Sequence, residues 1–186
     1  MKKNKKEKKE YTKPYLEVKK TTINFFKYSE SMEQLLAVCS YCIGDTCPPG
    51  CSKSCFLGET KILTIKGVKE IKKINDGDIV LSYNIPKKKI TKSEVKNVLV
   101  HENVPIFLII NKHIKVTPEH RFWVNNNQWK RANEIRIGDY LLNYKGEKVV
   151  VISKEYINKK VTVYNLELKG NYHNYFAEEV LVHNWK

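Results

Sequence analysis

The sequence is poor in arginine and has no long apolar run. Arginine supplies only three of the 34 basic residues, whereas proteins that read base edges depend on arginine for bidentate contacts. No stretch approaches the ~20 apolar residues of a membrane-spanning helix, and no apolar segment follows the basic start, as it would in a secretory signal. These absences argue against base-specific recognition and a membrane span, and they leave the compartment unknown.

Length and charge divide the chain into parts. The 186 residues suit one domain plus a tail, and a hydrophobic fraction of 41% is sufficient for one core. The formal net charge is +14, and residues 1–20 alone carry nine lysines against three glutamates. We expect this tail to be disordered and solvated, although it could also touch nucleic acid or an anionic membrane. The remaining predicted parts are a cysteine-rich segment at 21–54, a folded domain at 55–184 and a remnant at 185–186.

All five cysteines lie within 17 residues. The first four form two closely spaced pairs, Cys39-x-x-Cys42 and Cys47-x-x-x-Cys51. Their thiolates could surround one zinc ion, form two disulfides in an oxidising compartment, or remain free. The fifth, Cys55, differs because a folded-domain pattern begins at it.

Downstream of Cys55 the pattern predicts an all-β domain. Short β-rich runs alternate with turn signals roughly every eight to twelve residues, and helical periodicity is weak except near Arg131–Ile135 and Ser31–Val38. The runs are Lys61–Ile65, Asp78–Tyr83, Ile106–Ile110, His113–Thr117, Tyr140–Tyr144, Lys148–Ser153 and Val161–Leu168.

The predicted β domain contains an internal repeat. Residues 68–84 align without gaps on residues 129–145, with six identical positions that include Gly77-Asp78 and Gly138-Asp139. Two copies of one supersecondary unit predict a pseudo-two-fold domain, since a solenoid would need at least three.

Three segments of the β domain carry reactive residues in a characteristic order. They are Cys55-Phe-Leu-Gly-Glu-Thr, Thr117-Pro-Glu-His120, and Val163-Tyr-Asn-Leu-Glu-Leu168 through His173-Asn-Tyr-Phe176 to Val-His183-Asn184. Together they resemble the motifs of the Hint superfamily, which comprises inteins, hedgehog autoprocessing domains, bacterial intein-like domains and pretoxin Hint modules. The resemblance covers residues 55–184 and implies a duplicated, horseshoe-like β fold.

The resemblance implies an upstream cleavage that begins with the Cys55 thiol. Attack on the Ser54 carbonyl would convert the Ser54–Cys55 amide into a thioester, a covalent intermediate. His120 is the candidate proton donor for the leaving nitrogen of Cys55. Thr117 would hold the scissile amide or the tetrahedral oxygen by a hydrogen bond.

A second cleavage is implied at the other end of the domain. The side-chain amide of Asn184 can attack its own backbone carbonyl, forming a succinimide and breaking the Asn184–Trp185 bond. His183 and His173 are candidates to polarise the carbonyl and to supply the proton.

Two residues depart from the splicing pattern. Trp185 stands where splicing requires Cys, Ser or Thr, and Asn165 stands where many inteins have Asp. We therefore expect self-cleavage rather than splicing. The substrate is the chain's own flanking segments, the thioester is opened by water or by an outside thiol or amine, no cofactor is required, and the protein is a monomer. The competing hypothesis is a zinc-binding or basic nucleic-acid-binding module on an inactive Hint scaffold.

Overall fold

A computed structural model describes residues 54–184. The predicted tail at 1–20, the cysteine-rich segment, the zinc ligands Cys39, Cys42, Cys47 and Cys51, and the remnant at 185–186 lie outside the described residues. No helix of the described part is long and apolar enough to cross a membrane.

The described domain is all-β, as the sequence predicts. It contains thirteen strands and two short 3₁₀ helices, Ile71–Lys73 and Ala132–Glu134, the second of which falls at the weak helical signal near residue 133. The strands are β1 (Phe56–Leu57), β2 (Lys61–Thr64), β3 (Gly67–Glu70), β4 (Ile79–Asn84), β5 (Lys89–Ile110), β6 (Ile114–Val116), β7 (Arg121–Val124), β8 (Gln128–Arg131), β9 (Tyr140–Leu142), β10 (Lys148–Val150), β11 (Lys154–Leu168), β12 (Asn174–Ala177) and β13 (Val180–His183).

The strands form one continuous antiparallel network. Its main path runs β10-β9-β7-β13-β12-β2-β4-β5-β11-β1-β6, with β3 beside β2 and β8 beside β7. The two longest strands, β5 and β11, pair along most of their length, with irregularities near Val161 and Leu168. Such bulges bend and twist a ribbon. The predicted runs Ile106–Ile110 and Val161–Leu168 are only the ends of these longer strands.

The internal repeat is a structural repeat. The Gly77 N–H donates to the Val95 carbonyl at 2.9 Å, and the Gly138 N–H donates to the Val151 carbonyl at the same distance. Both glycines have positive φ, +84° and +94°, and this backbone conformation favours glycine because it has no Cβ.

The aspartates that follow these glycines close equivalent turns. Asp78 accepts from the Asn75 N–H at 2.8 Å and pairs with Lys69 at 2.6 Å. Asp139 accepts from the Arg136 N–H at 3.0 Å and pairs with Lys130 at 3.2 Å. The Gly-Asp identity in the alignment therefore reflects one turn geometry that is used twice.

The pseudo-symmetry extends upstream of the aligned residues. The Thr60 N–H donates to the Leu57 carbonyl at 3.0 Å, and the His120 N–H donates to the Thr117 carbonyl at 3.2 Å. The strands that lead into these two corners meet directly, because Phe56 pairs with Val116. This pairing brings the start of the domain against the Thr117–His120 segment.

Candidate functional site

Cys55 is held by Thr117 through its backbone. The Cys55 N–H donates to Thr117 Oγ1 at 2.7 Å, and the Thr117 N–H donates to the Cys55 carbonyl at 2.9 Å. These bonds continue the pairing of Phe56 with Val116 by one residue in each strand. The Cys55 side chain is 1% exposed. The nitrogen of the Ser54–Cys55 amide is therefore fixed in a buried position against a hydroxyl.

His120 lies in the same buried region. Its imidazole is 4.3 Å from the Phe56 ring, measured between centroids, and 6.5 Å from the Tyr175 ring. Burial lowers the pKa of His120 to about 3, and backbone groups of Ser54 and His183 offset part of that shift. Within residues 54–184, neither ring nitrogen makes a hydrogen bond of standard geometry. His120 is thus a neutral imidazole at pH 7 beside the Ser54–Cys55 bond.

Asn165 contacts the carbonyl of that bond. Its side-chain Nδ2 donates to the Ser54 carbonyl oxygen at 2.6 Å. Its Oδ1 accepts from the Leu166 N–H at 2.8 Å and from the Tyr175 hydroxyl at 3.0 Å. The Ser54–Cys55 amide is therefore held at both polar ends, by Asn165 at the oxygen and by Thr117 at the nitrogen.

Asn184 and His183 form the other end of the site. Asn184 is 5% exposed, and its N–H donates to the His173 carbonyl at 3.0 Å. Among the described residues, neither polar atom of the Asn184 side chain has a hydrogen-bond partner. His183 Nδ1 lies 2.7 Å from the Asn184 carbonyl oxygen, and the Trp129 ring packs edge-on against the His183 imidazole at 5.0 Å.

The structure brings the predicted site residues together. Thr117 is hydrogen-bonded to the Cys55 backbone, and His120 packs against the ring of the adjacent Phe56. A backbone group of His183 lies close enough to the His120 imidazole to affect its pKa. His173 joins through its backbone carbonyl. It adopts a positive φ of +49°, and its side chain is half-buried.

Sequence reasoning missed the contact made by Asn165 and the role of Tyr175. Asn165 stood out only as a departure that removes a carboxylate. Tyr175 lies inside the third motif segment, and its side chain is fully buried. A buried tyrosine hydroxyl almost always has a hydrogen-bond partner, and this rule is the signal that could have drawn attention to it.

Residues 54–184 contain no group of three or more His, Cys, Asp or Glu side chains that could hold a metal ion. The predicted zinc ligands are outside this part of the chain, so zinc binding stays a prediction.

Comparison with known proteins identifies the family of the described domain. The pretoxin Hint domain family matches residues 61–185, which is more than half of the chain. A bacterial intein-like domain from Clostridium thermocellum is 32% identical, with a TM-score of 0.65 over 72% of this chain and 100% of that domain. A search of curated proteins gives no match.

Two inteins share the fold at lower identity. A DnaB intein from Synechocystis sp. PCC 6803 is 21% identical with a TM-score of 0.62, and the gp41-1 intein is 23% identical with a TM-score of 0.58. Each comparison covers 72% of this chain and 100% of the intein. The described domain is therefore a Hint domain. The chain belongs to the pretoxin Hint family, and self-processing is the class of function that this membership supports.

Proposed function

We propose that this chain cleaves its own backbone at two places, before Cys55 through a thioester and after Asn184 through a succinimide. The observation that supports the proposal best is the geometry of the Ser54–Cys55 amide. Its nitrogen donates to Thr117 Oγ1 at 2.7 Å, and its carbonyl oxygen accepts from Asn165 Nδ2 at 2.6 Å.

The upstream step is an isomerisation. The Cys55 sulfur bonds to the Ser54 carbonyl carbon, the carbon–nitrogen bond to Cys55 breaks, and the thiol proton ends on the released amine. His120 is the group that can carry this proton, because a neutral imidazole accepts it and the resulting imidazolium donates it. Its low pKa makes the imidazolium a strong acid towards the departing nitrogen, and it makes the neutral ring a correspondingly weak base for the thiol proton.

Thr117 supports the step from the side of the amide nitrogen. Its hydroxyl oxygen, 2.7 Å from the Cys55 nitrogen, can also accept from the amine that forms there. The Thr117 contact therefore holds the leaving group before and after the bond breaks.

The downstream step uses the side chain of Asn184. Its Nδ2 attacks the Asn184 backbone carbon, loses a proton and closes the succinimide ring, while the Trp185 nitrogen gains a proton and leaves. His183 Nδ1, 2.7 Å from the Asn184 carbonyl oxygen, can polarise that carbonyl. The absence of hydrogen bonds to the Asn184 amide within the described residues leaves it available to react. His173, which immediately precedes β12, is proposed to assist.

The two steps end in release rather than ligation. Indole is not an acyl acceptor, so Trp185 cannot take the upstream segment from the thioester. Water, an external thiol or an external amine opens the thioester instead, and each molecule reacts once at each bond.

Intact mass spectrometry tests the proposal. The purified chain is incubated with and without dithiothreitol, and we expect loss of residues 1–54 to accelerate with the thiol. Cys55→Ala should abolish this cut and leave the cut after Asn184, whereas Asn184→Ala should do the reverse.

Matched variants control for unspecific effects. Cys51→Ala removes a cysteine that lies four positions before Cys55 in the sequence. Asn171→Ala removes an exposed asparagine from the loop that precedes β12. Both variants should cleave like the wild type. A wild-type chain that keeps its full mass for days with the thiol would contradict the proposal.

A further inference from the structure

Asn165 is placed where an amide can act on the upstream bond. The residue lies in β11 with a side chain that is 1% exposed, and it is 111 positions away from Ser54 in sequence. Its Nδ2 is 2.6 Å from the Ser54 carbonyl oxygen. That oxygen is the atom on which negative charge develops when a nucleophile adds to the carbonyl carbon.

The orientation of the Asn165 amide follows from its neighbours. The Leu166 N–H can only donate, so it requires the amide oxygen to face it. The Tyr175 hydroxyl points at the same oxygen. Exchanging oxygen and nitrogen would set a donor against a donor at Leu166 and an acceptor against an acceptor at Ser54.

Tyr175 holds this arrangement from the core. Burial raises the pKa of the Tyr175 hydroxyl well above its usual value, and the nearby Cys55 adds to the shift. The hydroxyl therefore keeps its proton and donates throughout the pH range of the reaction. The Tyr175 ring is fully buried among aromatic side chains that include Phe56 and His120, so its hydroxyl stays directed at Asn165.

We propose that Asn165 is a catalytic residue that stabilises the oxyanion on the Ser54 carbonyl during thioester formation, and that Tyr175 is the positioning residue that aims its amide. This assignment rests on the proposed upstream cleavage. A fixed donor in a buried site stabilises the developing oxyanion more than the same donor would in water, because no solvent must reorganise as the charge forms.

A donor role for Asn165 gives a chemical reason for asparagine at the position where many inteins have aspartate. An ionised carboxylate at position 165 has no proton to donate and would repel the oxyanion. A protonated carboxyl could donate, but only below its pKa. An amide donates at every pH, so the chain has exchanged an ionisable group for a permanent donor.

The experiment follows dithiothreitol-induced loss of residues 1–54 as a function of pH. The variants are Asn165→Ala, Asn165→Asp and Tyr175→Phe, and the matched control is Asn158→Asp on the exposed part of the same strand. Asn165→Ala should be ~10²–10³-fold slower than the wild type, the usual cost of losing one oxyanion donor. Tyr175→Phe should be slower by a smaller factor that does not vary with pH, and Asn158→Asp should match the wild type.

The Asn165→Asp variant separates catalysis from packing. The ratio of its rate to the wild-type rate should fall about tenfold per pH unit once the carboxyl ionises, because only the protonated acid donates. Dividing by the wild-type rate removes the pH dependence that comes from ionisation of the Cys55 thiol, which both proteins share. A merely structural asparagine would give a ratio without this slope.

The outcomes distinguish this assignment from the proposed function. Wild-type cleavage together with an equally fast Asn165→Ala would overturn the role of Asn165 alone, as would a pH-independent ratio for Asn165→Asp. Failure of the wild type to cleave would overturn the thioester chemistry and this role with it. The cut after Asn184, followed in the same samples, reports whether each variant has folded.

Discussion

The Thr117 hydroxyl oxygen accepts a hydrogen bond from the Cys55 backbone nitrogen at 2.7 Å, across 62 positions of sequence. The bond joins the first residue of the domain to the corner that also carries His120. It holds the nitrogen of the Ser54–Cys55 amide in place.

Replacing Thr117 should impair both stability and cleavage. Thr117→Val keeps the shape but leaves the buried Cys55 N–H without this acceptor, at a cost of about 1–3 kcal/mol. If the loss falls on the reacting state, the upstream cut slows roughly 10- to 100-fold. Urea unfolding and timed mass spectrometry with dithiothreitol measure the two effects. Thr117→Ser retains the hydroxyl and should stay near the wild type, and equal losses in both variants would contradict this account.

Protonation of His120 should make the fold sensitive to acid. Its pKa is about 3 in the folded chain against an ordinary 6.5. Between these values the unfolded state binds a proton that the folded state does not, so this contribution to the free energy of unfolding is complete above pH 6.5. It is lost at about 1.4 kcal/mol per pH unit as the pH falls towards 3.

Unfolding of a Cys55→Ala background in urea, at several pH values, measures this slope. Adding His120→Gln should remove the His120 part of the slope, whereas Asn171→Gln, at an exposed position, should leave the slope as it was. Identical slopes with and without His120 would show that its imidazole already binds a proton in the fold.

His183 should act on the downstream bond only. His183→Ala removes the nitrogen that lies 2.7 Å from the Asn184 carbonyl oxygen. We expect succinimide formation to slow by ~10²–10³-fold, the usual cost of losing one donor to a carbonyl oxygen on which charge develops. Thioester formation at Cys55 should continue. Mass spectrometry separates the two products, and a parallel loss of both cuts would contradict the separation.

Gly138 should contribute to stability only through the backbone conformation that it adopts. Its φ is +94°, and a Cβ added there would meet no atom within 4 Å. Gly138→Ala should therefore cost about 1–3 kcal/mol of stability through conformation rather than collision. Gly138→Asn should cost less, because Asn visits positive φ more readily. Thermal or urea unfolding measures both, and an unchanged Ala variant would mean that the turn relaxes.

The sequence predicted the fold class and the repeat better than the strand lengths. Apolar alternation located β2, β4 and β6 to within a residue or two. It missed most of β5, whose first part is rich in lysine and polar residues that are mostly exposed or half-buried. That part is a strand because it pairs with β4 and β11, and such pairing is absent from local periodicity.

The site shows the same division between local pattern and distant contact. The motifs led to Cys55, Thr117 and His120, and the structure brings these residues together. The bond from Asn165 to the Ser54 carbonyl joins residues 111 positions apart, and no spacing rule predicts it. By comparison with the intein motif, Asn165 is interpreted as the loss of an acid, whereas in the structure its side-chain amide donates a hydrogen bond to the Ser54 carbonyl.

The equivalence of the two corners has a consequence for the origin of the chemistry. Counting from the matched turns, Leu57 and Thr60 occupy in the first half the places that Thr117 and His120 occupy in the second. Lys115 likewise stands where Cys55 does. A paired assembly of identical ancestral units would present the same side chains at both corners. In the proposed reaction one corner supplies the attacking thiol and the other supplies the proton carrier, so neither half would carry out the reaction by itself.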